Sequence, residues 1–405
     1  MHEIQMAYPV ELITVLLMIA AAVAMTVKWI KVPYSIALVI VGLTISLFHV
    51  LPPIHMTPNL ILVAFLPALL FEASWNINLR RLRENWLSIS VFSTVGVVLS
   101  MLIIAAVMHY CGNLALSTAL IFGAIVSATD PISVLAIFKK LSIDKRLASI
   151  IEGESLFNDG AAVTMFQLIL FIIVTGSSYS IPLTIGKFSL VTAGGIIVGL
   201  VIGFGSSKLI SFFDDHLLEL MLTTIVAYGA LFISQQLGVS PVMAIITAGI
   251  VLGSYGSKVS MTTSTRIAIN SFWEYAAFVV NSLVFLLIGL QINLSLLAKY
   301  SNLIGIGILA LIVSRLIVAY GLSPLVSTKN LPIPLRWRHL LFWGAIRGSL
   351  SMALALSLPI DFPQREQLIV LTFGVVLYTL LVQGLTLEPL VKFFRRTRNI
   401  LVQNT

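Results

Sequence analysis

With 59% hydrophobic and only 10% charged residues over 405 positions, this chain has too little polar surface to dissolve as a globule, where about a quarter of residues are ordinarily charged. Composition therefore makes it an integral membrane protein, and its net charge of +8 reflects membrane topology rather than affinity for nucleic acid. Its one cysteine, Cys111, excludes an intramolecular disulfide and a thiolate metal centre.

Apolar runs of roughly 20 residues, the helical length that crosses a ~30 Å hydrocarbon core, recur near 10–27, 33–51, 58–76, 86–109, 115–138, 148–175, 184–210, 216–236, 240–254, 272–291, 302–325, 338–358 and 366–391. The pattern predicts an all-α polytopic membrane protein of about thirteen helices. Barrel strands are excluded, because they alternate apolar and polar residues over about ten positions. Lys28, Arg80, Arg81, Arg83, Lys139, Lys140, Lys145, Arg146 and Lys208 fall in alternate loops, and more basic residues follow in the tail from Lys392. By the positive-inside rule the N-terminus lies outside and residues 392–405 form a short cytoplasmic tail. The first span lacks the basic start and small-residue cleavage site of a leader and is expected to remain. The loops are too short to hold a soluble domain.

The third span carries Glu72 near its inner end, eight residues before Arg80, so it is read either as a cavity carboxylate or as half of an interfacial ion pair. Thr129-Asp130-Pro131 interrupts the fifth span. Proline removes an amide donor and pushes the residue before it out of helical geometry, so the helix is predicted to break and to leave Asp130 among free backbone dipoles. In the sixth span, Ser155 and Asp159 share one helical strip and Glu154 and Asn158 the next, so the first pair can offer oxygens to an ion while Asn158 fixes Glu154. Glu152 lies nearer the cytoplasmic end. Acidic groups at bilayer depth cost roughly 2.5 to 3.5 kcal/mol each and point to ion or proton handling.

Gly195, Gly199 and Gly203 line one face of the seventh span and predict close helix packing. Arg347 in the twelfth span needs a carboxylate, for which Glu154 is the candidate, and Gly344, Gly348 and Ser349 allow a second break there. Arg315 and Glu274, with Asn281 further along the tenth helix, read as a structural pair; Glu11 has no assigned partner. Metalloprotease, serine-hydrolase and nucleotide-loop motifs do not occur, so the expectation is a transporter that uses no cofactor, not an enzyme.

The runs LLFEASWNINLRRLREN, ATDPISVLAIFKKL, IEGESLFNDGAAV, FWEYAAFVVNSLVFLLIGLQI, GAIRGSLSMALALSLP and VQGLTLEPLV, in this order and nearly end to end, make the chain similar to the NhaP-type monovalent cation:proton antiporters. The resemblance implies two inverted six-helix repeats, about 10–175 and 216–391, joined by a linker helix at about 184–210, in a homodimer. It implies that the broken fifth and twelfth helices cross near the midplane. It assigns the cation and proton site to Asp130, Asp159, Ser155 and Thr129, with Glu72 beside it, Glu154 paired with Arg347, and Asn158 orienting Glu154. It also implies exchange of Na+ or Li+ for H+ in a prokaryotic plasma membrane, electroneutral at 1:1, because relatives with two adjacent aspartates in place of Asn158-Asp159 are the electrogenic ones. The alternatives are a cation channel or uniporter without proton coupling, and an organic-anion carrier, against which the acidic cluster speaks.

Overall fold

The computed structural model describes residues 2–29, 32–49, 60–176, 181–213, 215–259, 261–291, 294–328 and 331–402. The predicted end of the second span (50–51), the start of the third (58–59) and the tail residues 403–405 lie outside them. Every element among the described residues is helical. Apart from two short helices, Leu79–Glu84 and Leu294–Lys299, the main ones in chain order are α1 (His2–Val27), α2 (Tyr34–Leu47), α3 (Leu62–Asn76), α4 (Trp86–Tyr110), α5 (Leu116–Ser127), α6 (Ile132–Lys140), α7 (Lys145–Thr175) and α8 (Pro182–Ile210). There follow α9 (His216–Gln236), α10 (Pro241–Gly256), α11 (Thr263–Leu290), α12 (Ser301–Val326), α13 (Leu335–Trp343), α14 (Ser349–Leu356) and α15 (Arg365–Phe394). Among the described residues eight stretches are long and apolar enough to cross a membrane, with α5 and α6 together forming one of them; α2, α3, α10 and the apolar part of α1 are shorter.

Helix starts follow local chemistry. Asp144 accepts from Arg146 N at 2.8 Å before α7, Asp215 from Leu217 N at 2.8 Å before α9, and Thr262 from Thr265 N at 3.3 Å before α11. The Thr262 cap explains why α11 begins at Thr263, nine residues before the apolar run from 272. Gly176, with φ +63°, ends α7 in the left-handed conformation that glycine adopts freely.

Where lipid removes the hydrophobic drive between helices, small residues let backbones approach. Gly195, Gly199 and Gly203 of α8 lie against Ser240, Ala244, Thr247 and Val251 of α10, as their spacing predicts. Gly42 of α2 and Gly289 of α11 face each other so closely that a methyl group on either would strike the other helix's backbone. These contacts make a rigid frame around two interrupted helices. The chain leaves helical geometry at residues 128–131, between α5 and α6, and again at 344–348, between α13 and α14.

Candidate cation site

The two interruptions meet. Asp130 N donates to Ile346 O at 2.8 Å, so one unwound strand is tied to the other by a backbone hydrogen bond. A side chain at Gly348 would fall on the Asp130 carboxylate, which explains why that position of the second strand is glycine. The unwound backbone of Thr129 is held from α7: its N–H donates to Asn158 Oδ1 at 3.2 Å, and Asn158 Nδ2 donates to Thr129 Oγ1 at 2.9 Å. Thr129 Oγ1 also lies 3.0 Å from Ser155 Oγ. Asn158 therefore braces the broken helix; the expected role of orienting Glu154 is not the one its hydrogen bonds serve.

The breaks expose four half-helix ends, and three of them receive the charge their dipoles call for. Asp130 Oδ1 accepts from Ile132 N at 2.9 Å in the first turn of α6, an anion at a positive helix end. At the negative end of α5, Arg347 Nε donates to Val126 O at 2.5 Å, while Nη1 takes Ala345 O at 2.9 Å. At the corresponding end of α13, Arg315 Nε donates to Leu341 O at 3.0 Å. Each guanidinium satisfies carbonyls that the break would otherwise leave orphaned in a dry interior.

Two sequence-based pairings are corrected here. Glu154 pairs with Arg315 at 2.5 Å, not with Arg347, and the pair is buried. Arg347 is 1% exposed and lies within electrostatic reach of Glu154 and Asp159, yet it salt-bridges neither among the described residues. Its guanidinium is spent on carbonyls because its Cα lies in the unwound strand, beside the end of α5. The Arg315–Glu274 pair does not form: Arg315 faces α7, and Glu274 is exposed on α11. Glu11 is exposed on α1.

With Glu154 and both arginines engaged, Asp130 and Asp159 are left without an ion pair among the described residues, and both line one cavity of about 220 Å³. Thr129 and Glu72 are on its wall as well; Ser155 and Asn158 stand behind Thr129 rather than in the wall. Glu72 accepts from Asn76 Nδ2 at 2.8 Å, while Arg80 turns to Glu84 at 3.0 Å, so Glu72 is a cavity carboxylate and not half of an interfacial pair. The cavity is lined by α3 from Leu66 to Asn76, the first turn of α6 and α7 from Glu152 to Asp159. Glu152 is among these lining residues, and Asn281, Ser349 and Ser351 line the cavity as well. Sequence reasoning placed Glu152 only nearer the cytoplasmic end, although its spacing of seven from Asp159 puts both on one face of α7, and nothing in the periodicity of α11 marks Asn281 as lining the site.

The acid-lined crossing of two interrupted helices is the geometry of an ion carrier, and the comparisons agree. The family model described as sodium/hydrogen exchanger, transmembrane, matches residues 13–393. The chain is 43% identical over 401 residues to the low-affinity Na+/H+ antiporter NhaS1 of Synechocystis, covering 96% of this chain and 76% of that protein. It is 44% identical over 364 residues to the Na+/H+ antiporter ApNhaP of Aphanothece halophytica, covering 89% and 70%. Its fold is that of the sodium proton antiporter MjNhaP1 from Methanocaldococcus jannaschii, at a TM-score of 0.81 and 20% identity, over 95% of this chain and 98% of that one. The chain belongs to the sodium/hydrogen exchanger family.

Proposed function

We propose that this chain exchanges Na+ or Li+ for H+ across the membrane, one cation for one proton, with Asp130 and Asp159 as the groups for which the two ions compete. The observation that carries this reading is that these two carboxylates share a cavity wall at the helix crossing while every cation nearby is otherwise engaged. Thr129 supplies a neutral oxygen beside them, Ser155 backs it through a 3.0 Å hydrogen bond, and Glu72 lines the same cavity. A bare carboxylate in a low-dielectric cavity is costly, and either a proton or a cation relieves it. A loaded site therefore crosses the access barrier readily and an empty one does not, which couples the two flows through alternating access.

Asn158 adds no charge beside Asp159 and braces Thr129 instead, which supports electroneutral 1:1 exchange. The Glu154–Arg315 pair and Arg347 hold the crossing together and carry no ion. We place the chain as a homodimer in a prokaryotic plasma membrane, N-terminus outside, with the cavity open toward the cytoplasm and the two groups of helices on either side of α8 acting as inverted repeats. A channel or uniporter is the competing reading.

The test is sodium-driven proton movement in proteoliposomes with an internal pH dye, with and without a potassium/valinomycin clamp. Sodium-dependent pH change insensitive to voltage is the expected result. Ion flux or current without pH change would overturn it in favour of the channel.

A further inference from the structure

The cavity that holds the aspartates is also lined by two residues with an oxygen that has no hydrogen-bond partner among the described residues: Asn281, at Oδ1, and Ser351, at Oγ. A buried polar atom left unpaired is uncommon and calls for a reason. For Ser351, 1% exposed, local structure supplies it. A serine within a helix normally returns its hydroxyl proton to a carbonyl three or four residues earlier. Those residues are Gly348 and Arg347, both in the unwound strand, so no helical carbonyl stands in line and the hydroxyl stays available. Asn281 comes from α11, which packs on α14, so the two oxygens arise from neighbouring elements.

The cavity thus combines four acids, Glu72, Asp130, Glu152 and Asp159, with the neutral polar groups of Asn281 and Ser351. Its volume of about 220 Å³ is enough for several waters at roughly 30 Å³ each, so a cation beside the aspartates need not be stripped of its shell. Water held between a cation and a fixed dipole is nearly as favourable as a direct contact.

We propose that Asn281 and Ser351 form a neutral oxygen station in the same cavity as the aspartates, which holds the outer ligands of a partly hydrated monovalent cation and sets the preference among such cations. This rests on the site assigned above. Carboxylates attract any small cation, whereas fixed neutral oxygens at a set distance favour one hydrated radius over another.

The experiment measures KM and Vmax for Na+ and for Li+, at one pH, on the full chain in proteoliposomes, with melting temperature recorded for each variant. Ser351→Ala is expected to raise the KM for Na+ about two- to tenfold, the range of one hydrogen bond, by more than it lowers Vmax, and to change the Na+/Li+ KM ratio. Asn281→Ala shifts the same two quantities, and Ser351→Thr, which keeps an oxygen, loses less than the alanine. The melting temperature of Ser351→Ala should hold or rise, since an unpartnered hydroxyl is removed. Wild-type KM and ion ratio in Ser351→Ala would overturn the inference, as would a lowered melting temperature with unchanged KM; Ser351→Ala decides alone should Asn281→Ala not fold. Asp159→Asn keeps the two readings apart. If it still exchanges, the site itself is misassigned; if it is silent while the wall variants behave as wild type, only the neutral station falls.

Discussion

The two interrupted helices use one backbone device for opposite ends. Both α5–α6 and α13–α14 stop, run extended for a few residues and resume, and in both an arginine satisfies the last carbonyls of the first half: Arg347 at Val126 and Arg315 at Leu341. The first break places an acid, Asp130, at its centre and leaves it without an ion pair, while the second places a base, Arg347, and spends it on backbone. The difference shows how an exchanger can keep its carboxylates open to a mobile cation while fixed cations stand nearby. The fixed cations are consumed by helix ends that the breaks themselves create.

The sharpest way to break this comparison is to neutralise the open acids. Asp159→Asn and Asp130→Asn should each abolish sodium-dependent proton movement with expression and melting temperature preserved; exchange at wild-type rate in either would show that the open acid is elsewhere. Next in size come the two arginines. Arg315→Ala strands the buried Glu154 charge and should cost roughly 3 to 5 kcal/mol, whereas Arg347→Ala leaves an orphan carbonyl at Val126 and should cost about 1 to 3 kcal/mol. Thermal or denaturant melts of the two variants, with Glu154→Gln combined with Arg315→Ala as partial rescue, would contradict the assignment if the order were reversed.

A smaller effect is expected at the brace. Asn158→Ala removes the hydrogen bonds to Thr129 and should lower stability by about 1 to 2 kcal/mol while weakening exchange. A melting curve superimposable on wild type would mean the unwound strand holds itself. Smallest is Glu152→Gln at the cavity mouth, which removes only long-range attraction: a rise of about two- to threefold in KM for Na+ at low ionic strength, fading as added salt screens the field. A rise that salt does not diminish would place Glu152 in direct contact with the ion.

Much of this was readable from residues alone, for identifiable reasons. Asp130 before Pro131 inside an apolar run has few ways to be accommodated except a broken helix around a cavity, and the break is where the dipeptide stands. Ser155 and Thr129 come together because a serine one turn from Asp159 faces the same strip. The glycines of α8 at a spacing of four meet α10 as small-residue faces do in lipid. The partner of Glu154 was not readable. Arg315 and Arg347 both sit in apolar spans, and helical periodicity tells which way a side chain points from its own axis, never which helix stands opposite.

The sequence by itself therefore determined the solvent, the helical class, the place of the first break and the acids at its centre, since hydropathy, proline geometry and the cost of buried charge act locally along the chain. Only the tertiary structure decided that Glu154 belongs to Arg315, that Arg347 caps α5, that Asn158 braces Thr129, and that Asn281 and Ser351 share a cavity with the aspartates. Those outcomes depend on distances between helices far apart in sequence. Such distances are set by how small residues let the whole bundle close, and no local pattern encodes them.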